Sequence, residues 1–562
     1  MIRFPSGARA VVAVLAIAAA AACSDSTEPT PLATPTGLTA TQQSLTKIHL
    51  TWSAVSGATG YLLERTSAAT PGVYTQVGGG VIAGAQFTDS TVSAGVSYGY
   101  HVASVSANDT SAFSTTVNFA TGLQQAVLDG TADITANRTL YADTVYVLSG
   151  YVKVKNGATL TIQAGTKIVG DTSVVGSSLW ILRGSKIIAN GTSAQPIVFT
   201  SQRSAGNRAP GDWGGVIIVG NGIINRTGAT ILTEGGGAGE AENYAGGVDN
   251  NDSSGVLRYV RIEFAGYDVS NGAGQELNSL SMYAVGRKTV LEYVQTMSGL
   301  DDSFEWWGGA VDGRYLISYE SGDDHFDWTE GYQGRNQFLI AFQSQRLVPR
   351  PGTGVFSSDP RGFEGDGCDP AVTGCTVTAT GASTPYSNPV FSNFTMIGPG
   401  PLASIPNDGN GAVWRRGTGG YFANGVLSRW KGIAINVRDA WTDSLLVLYD
   451  SLNIVNVLLA QNGFNYDTVG AGFGQSAVFA ADNHKVYAAN VAVDTLLGIS
   501  LNPSALDWTP KNGSPANTGS ITVPAAKVAG YFGGTWVNTA YLGAAEPGGT
   551  KWWQGWTSYS IN

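Results

Sequence analysis

The sequence predicts an all-β protein, a small β-sandwich followed by a long parallel β-helix, on three observations. The first is composition: 75 of the 562 residues are Gly, only 13% are charged, and there are 14 Trp, 23 Tyr and 19 Phe. Abundant glycine and aromatic residues with few charges fit short strands joined by tight turns, and they exclude a disordered chain. The second is a repeat. Asp301-Asp302-Ser303-Phe304-Glu305-Trp306 returns 22 positions later as Asp323-Asp324-His325-Phe326-Asp327-Trp328, with Tyr293 falling on Tyr315 and Gly309 on Gly331. A repeat of this length without a helical period reads as one turn of a solenoid, which stacks like residues about 4.8 Å apart. The third is that runs of three to five strand-forming residues alternate with Gly and Asn turns from about Leu123 onward. Such runs suit the faces of a coil and are too short for a sandwich.

Residues 1–22 read as a lipoprotein signal. Arg3 and Arg9 stand before an apolar run, Val11 to Ala22, that is too short to span a bilayer. The run stops at Cys23, where cleavage is expected, so Cys23 is the expected lipidation site and the membrane an expected partner. Ser24 behind it fits an outer-membrane address, placing the protein in the bacterial outer membrane, facing the surface or the periplasm. Ordinary secretion with an incidental cysteine is the competing reading. Residues 23–34 are a Ser/Thr/Pro tether.

Residues 35–121 carry short alternating runs at sandwich spacing: Ile48-Leu50-Trp52, Tyr61-Leu63, Tyr74-Val77, Tyr98-Tyr100-Val102 and Val117-Phe119. With Pro35, Leu38, Leu50-Thr51-Trp52, Gly60 to Arg65 and Tyr98 to Val102, the segment resembles a fibronectin type III domain. The resemblance implies a spacer or docking module with Trp52 and Tyr98 in its core.

The β-helix is expected over 123–540. Val152 to Ile162, Thr166 to Gly170, Leu179 to Ala189, Pro196 to Ser201 and Trp213 to Ile218 open the series, and Val256 to Ile262, Phe338 to Phe342 and Tyr421 to Leu427 continue it. Asn recurs before apolar pairs as a turn residue that tolerates left-handed backbone. Long loops at 235–255 and 349–389 interrupt the coil and are natural places for binding sites. In the second, Cys368 and Cys375 sit seven positions apart without a histidine, which favours a disulfide over a metal site. Residues 541–562 break the repeat with Trp552, Trp553 and Trp556 and are expected to cap the open end of the last coil.

Pro210 to Gly215, Leu257 to Gly266, the Asp301/Asp323 repeat, Trp414 to Thr418 and Gly555-Trp556-Thr557 together resemble bacterial surface lipoproteins with a right-handed, single-stranded parallel β-helix, such as those of spirochaete outer membranes. The resemblance implies a pectin-lyase-like fold and a surface location. It implies no reaction.

The repeat also yields the candidate site. Alternation puts Phe304, Trp306, Phe326 and Trp328 on one side and Glu305 and Asp327 on the other, one rung apart and pointing outward into solvent. Asp301, Asp302, Asp323 and Asp324 lie on the preceding turns, and a third copy is expected at Gly362 to Asp366. Stacked like charges need neutralising. One answer is Ca²⁺, held by Asp301, Glu305, Asp323, Asp324 and Asp327, because clustered carboxylates supply the oxygens it requires. The others are pairing with Arg314 and Arg335, and a cationic ligand. Trp307, Asp302 and Arg335 are the expected ligand contacts.

Two functions follow. The favoured one is a non-enzymatic surface protein, structural or adhesive, binding glycan, matrix or a protein through the coil or its loops. The alternative is a polysaccharide lyase or glycoside hydrolase using Asp301, Glu305, Asp324 and His325, since hydrolases need two carboxylates about the sugar bond. The net charge of −10 argues against a nucleic-acid partner.

Overall fold

The structure, a computed structural model, describes residues 31–235, 240–270, 275–344, 347–400, 409–467, 486–489, 506–531 and 534–560. The expected signal and Cys23 lie outside the described residues. The chain divides into two compact units at Leu123/Gln124.

The first unit holds seven strands: β1 (Thr39–Ser44), β2 (Lys47–Thr51), β3 (Gly60–Ser67), β4 (Thr70–Ile82), β5 (Gln86–Asp89), β6 (Ser97–Val105) and β7 (Val117–Ala120). They form antiparallel sheets in the orders β1-β2-β5 and β4-β3-β6-β7, the fibronectin type III arrangement. Alternation buries Ile48, Leu50, Leu63, Tyr100 and Val102 between the sheets, and Trp52 meets Tyr61 edge-on at 5.3 Å. Asp89 is buried with them. It accepts from Arg65 at 2.7 Å and from Tyr100 at 2.9 Å, and these contacts with the Thr91 hydrogen bonds outweigh the cost of burial and lower its pKa.

The second unit is a parallel β-helix. Its early coils have three short strands each, such as Thr144–Ser149, Tyr151–Val154 and Thr159–Ile162, and every strand pairs in parallel with its counterpart one coil on. At Gly255–Glu263 two faces fuse into one nine-residue strand. Its first half pairs with Ile187–Asn190 and its second with Ile197–Phe199, and it bends between them at Tyr259, where φ is 49°. Later coils repeat the bend at Tyr293, Tyr315, Phe338, Asn393, Asn424 and Asn456, all with φ between 53° and 63°. Asparagine suits this left-handed corner. The aromatic residues are tolerated because their rings stack on one another at 4.4, 4.4 and 5.0 Å along the ladder.

Inward side chains form one continuous core. The 22-residue repeat puts Phe304 over Phe326 at 5.2 Å and pairs Trp306 with Trp328. The next rung carries Gly365, where a Cβ would fall 2.2 Å from the Trp328 ring, so glycine makes room for the indole above it. Trp414 then refills the column. Each stacked pair adds about 1 kcal/mol beyond the burial of its rings.

The C-terminal tryptophans, expected to cap the last coil, pack instead on the flank of earlier coils, against Tyr259, Tyr293 and Tyr315. Residues 506–531 and 534–560 run back along the side of the helix, over the corner ladder. Asn456 and Asn424 donate to Gly519 and Ile521 carbonyls, Gln337 to Val537, and Asn393 to the Thr539 hydroxyl. Trp552 then packs on Tyr315 and Trp556 on Tyr259, at 5.1 and 5.7 Å. The physical reason is the outward face beside the bend. It carries Phe264, Met297, Ile317, Tyr319, Ile340 and Phe342, an apolar strip that must be covered.

Candidate metal centre

The repeat builds an acidic ladder on the outer side of the second long sheet. In strands Phe304–Trp307, Phe326–Thr329 and Arg361–Asp366, Glu305 lies opposite Asp327 and Asp327 opposite Glu364. The aromatic residues between them face the core, so the three carboxylates are aligned on the other face. Asp301-Asp302 and Asp323-Asp324 stack on the turns that lead into the first two strands.

These side chains are not in solvent, as the alternation alone predicted. Glu305, Asp327, Asp302 and Asp324 are 5, 8, 7 and 1% exposed, and Asp301 and Asp323 are half-buried. Alternation reports which face a residue takes but not what covers that face. Here the insertions cover it. Residues 221–235 and 240–254 lay Tyr244, Ile231 and Ala245 over Ile217 and Tyr283, and the 353–361 segment brings Phe356, Ser357 and Arg361 onto the turn before Phe326. The Cys368–Cys375 disulfide is formed, and its loop docks on the first insertion, where Arg226 and Thr227 donate to the Thr373 and Gly374 carbonyls.

The carboxylates fall into three overlapping triads: Asp301, Asp302 and Asp323; Asp302, Glu305 and Asp327; and Asp324, Asp327 and Glu364. In each triad one oxygen per residue lies within 4.8 Å of the others. Only the third meets cationic side chains. Arg361 reaches Asp324 at 3.0 Å and also contacts Glu364, and Arg415 reaches Glu364 at 2.8 Å and Asp366 at 2.7 Å. Arg314 and Arg335, the partners expected from sequence, are elsewhere. Both lie on the other long sheet, Arg314 over the Tyr315 ring at 4.8 Å and Arg335 beside Asp312 at 3.5 Å. They recur almost one coil apart like the acids, but on a different face.

The first two triads accept hydrogen bonds from neutral donors and form no ion pair among the described residues. Asn278 donates to Glu305 and accepts from the Asp302 amide at 3.1 Å, and Asp302 accepts from the Asp324 amide at 2.8 Å. The Oδ1 atoms of Asp323 and Asp327 are buried without a hydrogen bond. Burial, then mutual repulsion, raises the Asp301, Asp302, Glu305 and Asp327 carboxyls well above the usual carboxylate range. Asp323 is pushed up to about 7, mainly by burial and against the pull of Arg361. Asp324 and Glu364 reach about 8 through burial and neighbouring carboxylates. Glu234, on the first insertion, reaches about 8 through burial and Glu276.

Two further expected site residues have structural surroundings. Trp307 stacks on Tyr283 at 5.4 Å and meets Tyr244 edge-on, so its ring is engaged by the first insertion. His325 is fully buried, with Nδ1 at 2.5 Å from the Ser318 hydroxyl and its ring against Trp430. Burial pushes it down to about 3. It therefore sits neutral in the core, apart from the acids. Sequence reasoning passed over Glu364, Arg361, Arg415 and Asn278. Glu364 was findable, because the third copy contains it, although an insertion separates it from Asp327 by 37 positions. The arginines and Asn278 carry no periodic signal.

Residues 132–496 match the family described as a pectate-lyase-like β-helix domain. No curated protein gives a match. Solved structures similar to the chain include an Fn3-like protein from Clostridium thermocellum, 32% identical, covering 15% of this chain and 86% of that one, with a TM-score of 0.14. The FN1–FN3 domains of chicken CNTN1 are 16% identical over 16% of this chain and 32% of theirs, with a TM-score of 0.15. The fn3 domain of human collagen alpha-1(XX) chain is 23% identical over 18% of this chain and 94% of its own, also at 0.15.

Proposed function

This chain belongs to the pectate-lyase-like β-helix family, a scaffold compatible with binding or catalysis, and we propose that it is a lipid-anchored, non-enzymatic surface protein. Its coil holds Ca²⁺ at the acidic ladder and presents its sides and insertions to a glycan or protein partner. The observation that supports this best is the ladder itself. Asp301, Asp302, Asp323, Glu305 and Asp327 cluster with no ion pair to any cationic side chain among the described residues, and two of their buried oxygens have no hydrogen bond. Buried carboxylates in that state are costly unless protonated or bound to a cation. An all-carboxylate donor set suits a hard cation, and Ca²⁺ accepts the irregular geometry that a stacked ladder offers.

Burial also bears on the enzymatic alternative. A lyase or hydrolase must bring a polymer to its carboxylates, and here they lie beneath the two insertions. The cation then acts as a tie between coil and covering loops, leaving the loops' outer surface for recognition. Lipidation at Cys23 would fix this body to the membrane.

The test is thermal unfolding of the full chain with Ca²⁺ and with chelator, beside a variant carrying Asp323→Ala, Asp324→Ala and Asp327→Ala. Ca²⁺ should raise the wild-type midpoint and leave the variant unmoved. Equal responses would remove the ladder from cation binding. Incubation with acidic and neutral polysaccharides then separates the functions: retention of unchanged glycan supports binding, while unsaturated or new reducing ends would establish catalysis.

A further inference from the structure

We propose that the acidic centre holds two divalent cations bridged by the carboxylate of Asp302, an inference that rests on the cation-binding reading above. Asp302 is the one residue shared by the turn triad, with Asp301 and Asp323, and the ladder triad, with Glu305 and Asp327. An ion bonded to oxygens at about 2.3–2.6 Å spans ligand atoms up to about 5 Å apart, which is the spread within each triad. No triad contains both Asp323 and Asp327, so the two sets converge on separate points on either side of Asp302.

Each set also has its own unfilled oxygen. Asp323 in the turn triad, and Asp327 in the ladder triad and the third, each carry a buried Oδ1 without a hydrogen bond. Asp327 is only 8% exposed. The third triad shows the contrast, since Arg361 and Arg415 already occupy its surroundings. The first two triads therefore feel the guanidiniums only at a distance, while the third is directly ion-paired.

Charge balance points the same way. Seven carboxylates across the triads face two guanidiniums, leaving five negative charges when all are ionised. One divalent cation leaves three; two leave one. Asn278 fits a positioning role at the junction, because its amide fixes the Asp302 backbone on one side and the Glu305 carboxylate on the other. A bridging carboxylate couples the sites, since the first ion orients Asp302 for the second.

The experiment is Ca²⁺ titration of the chelator-stripped full chain by calorimetry, with ion counting by native mass spectrometry. Two ions per wild-type chain are expected. Glu305→Gln should leave one ion, held by the turn triad, and Asp301→Asn should leave one, held by the ladder triad. Asp302→Asn should weaken both sites at least tenfold. A single ion in the wild type would overturn the two-ion centre while leaving cation binding intact. Zero ions would overturn both. Asp302→Asn affecting one site only would refute the bridge. The wild-type count needs no variant, so it decides the matter even where a substitution prevents folding.

Discussion

With no cation at the acidic centre, the β-helix should lose stability as pH rises, the reverse of ordinary acid denaturation. Asp323 is pushed up to about 7 in the fold against an ordinary value of 3.8, chiefly by burial. The folded chain thus binds this proton more tightly than the unfolded chain. The protonated fold keeps its stability below about pH 4 and loses it progressively as pH climbs through the folded value. By pH 8, ionising Asp323 inside the fold costs roughly 4 kcal/mol. That is a large share of the ~5–15 kcal/mol that stabilises a typical domain. Asp324 and Glu364, both at about 8, act in the same direction and share protons with their neighbours, so their costs do not simply add. Ca²⁺ competes with those protons, so it should stabilise strongly at pH 8 and weakly at pH 5. The assay is calorimetric unfolding of stripped protein at pH 5, 6, 7 and 8, with and without Ca²⁺. The reasoning fails if the stripped protein has the same midpoint at pH 5 and 8, or if Ca²⁺ adds the same increment at both.

Three other outcomes follow from the packing. Trp306→Ala empties a fully buried site between Phe304, Phe326 and Tyr332 and should cost the second unit about 3–5 kcal/mol in denaturant unfolding, with the first unit's transition unmoved. Asn424→Ala puts a residue that tolerates left-handed backbone less readily than asparagine at φ 56° and removes the amide that binds Ile521, so about 1–3 kcal/mol should be lost and proteolysis near residue 521 should quicken. Replacing Cys368 and Cys375 by Ser opens a loop closed over seven positions and should release about 2 kcal/mol of restraint, seen as faster cleavage within 367–385.

Much of the fold was legible because a solenoid writes its geometry into the sequence as a period. The interval between Glu305 and Asp327 is the pairing register, and the aromatic residues flanking them name the core side. The recurrent Asn before apolar pairs was likewise readable, since Asn393, Asn424 and Asn456 all take the left-handed corner. The identities of the ladder residues came through for the same reason. Their environment did not. Glu305 is buried because residues far away in the chain fold over it, and no local pattern encodes that cover. Arg361 and Arg415 enter the centre from a strand beyond an insertion and from the next rung, so the counter-charges were misassigned to Arg314 and Arg335, which share the period but not the face. The tryptophans near the C-terminus were read as a lid on an open end, because composition shows that they must be buried without showing against what.

The returning C-terminal segment has a consequence for how the molecule is made. Ser558 exchanges two hydrogen bonds with Gln295, 263 positions earlier, and Arg261 donates to the Trp556 carbonyl. Coils that emerge early from the ribosome therefore wait for the last residues before their flank is sealed. Such long-range closure slows assembly, and a chain that stops short of Trp552 leaves a greasy seam open over coils that are otherwise complete. A stop codon near the end should thus be felt in the middle of the coil stack, at Tyr259, Tyr293 and Tyr315.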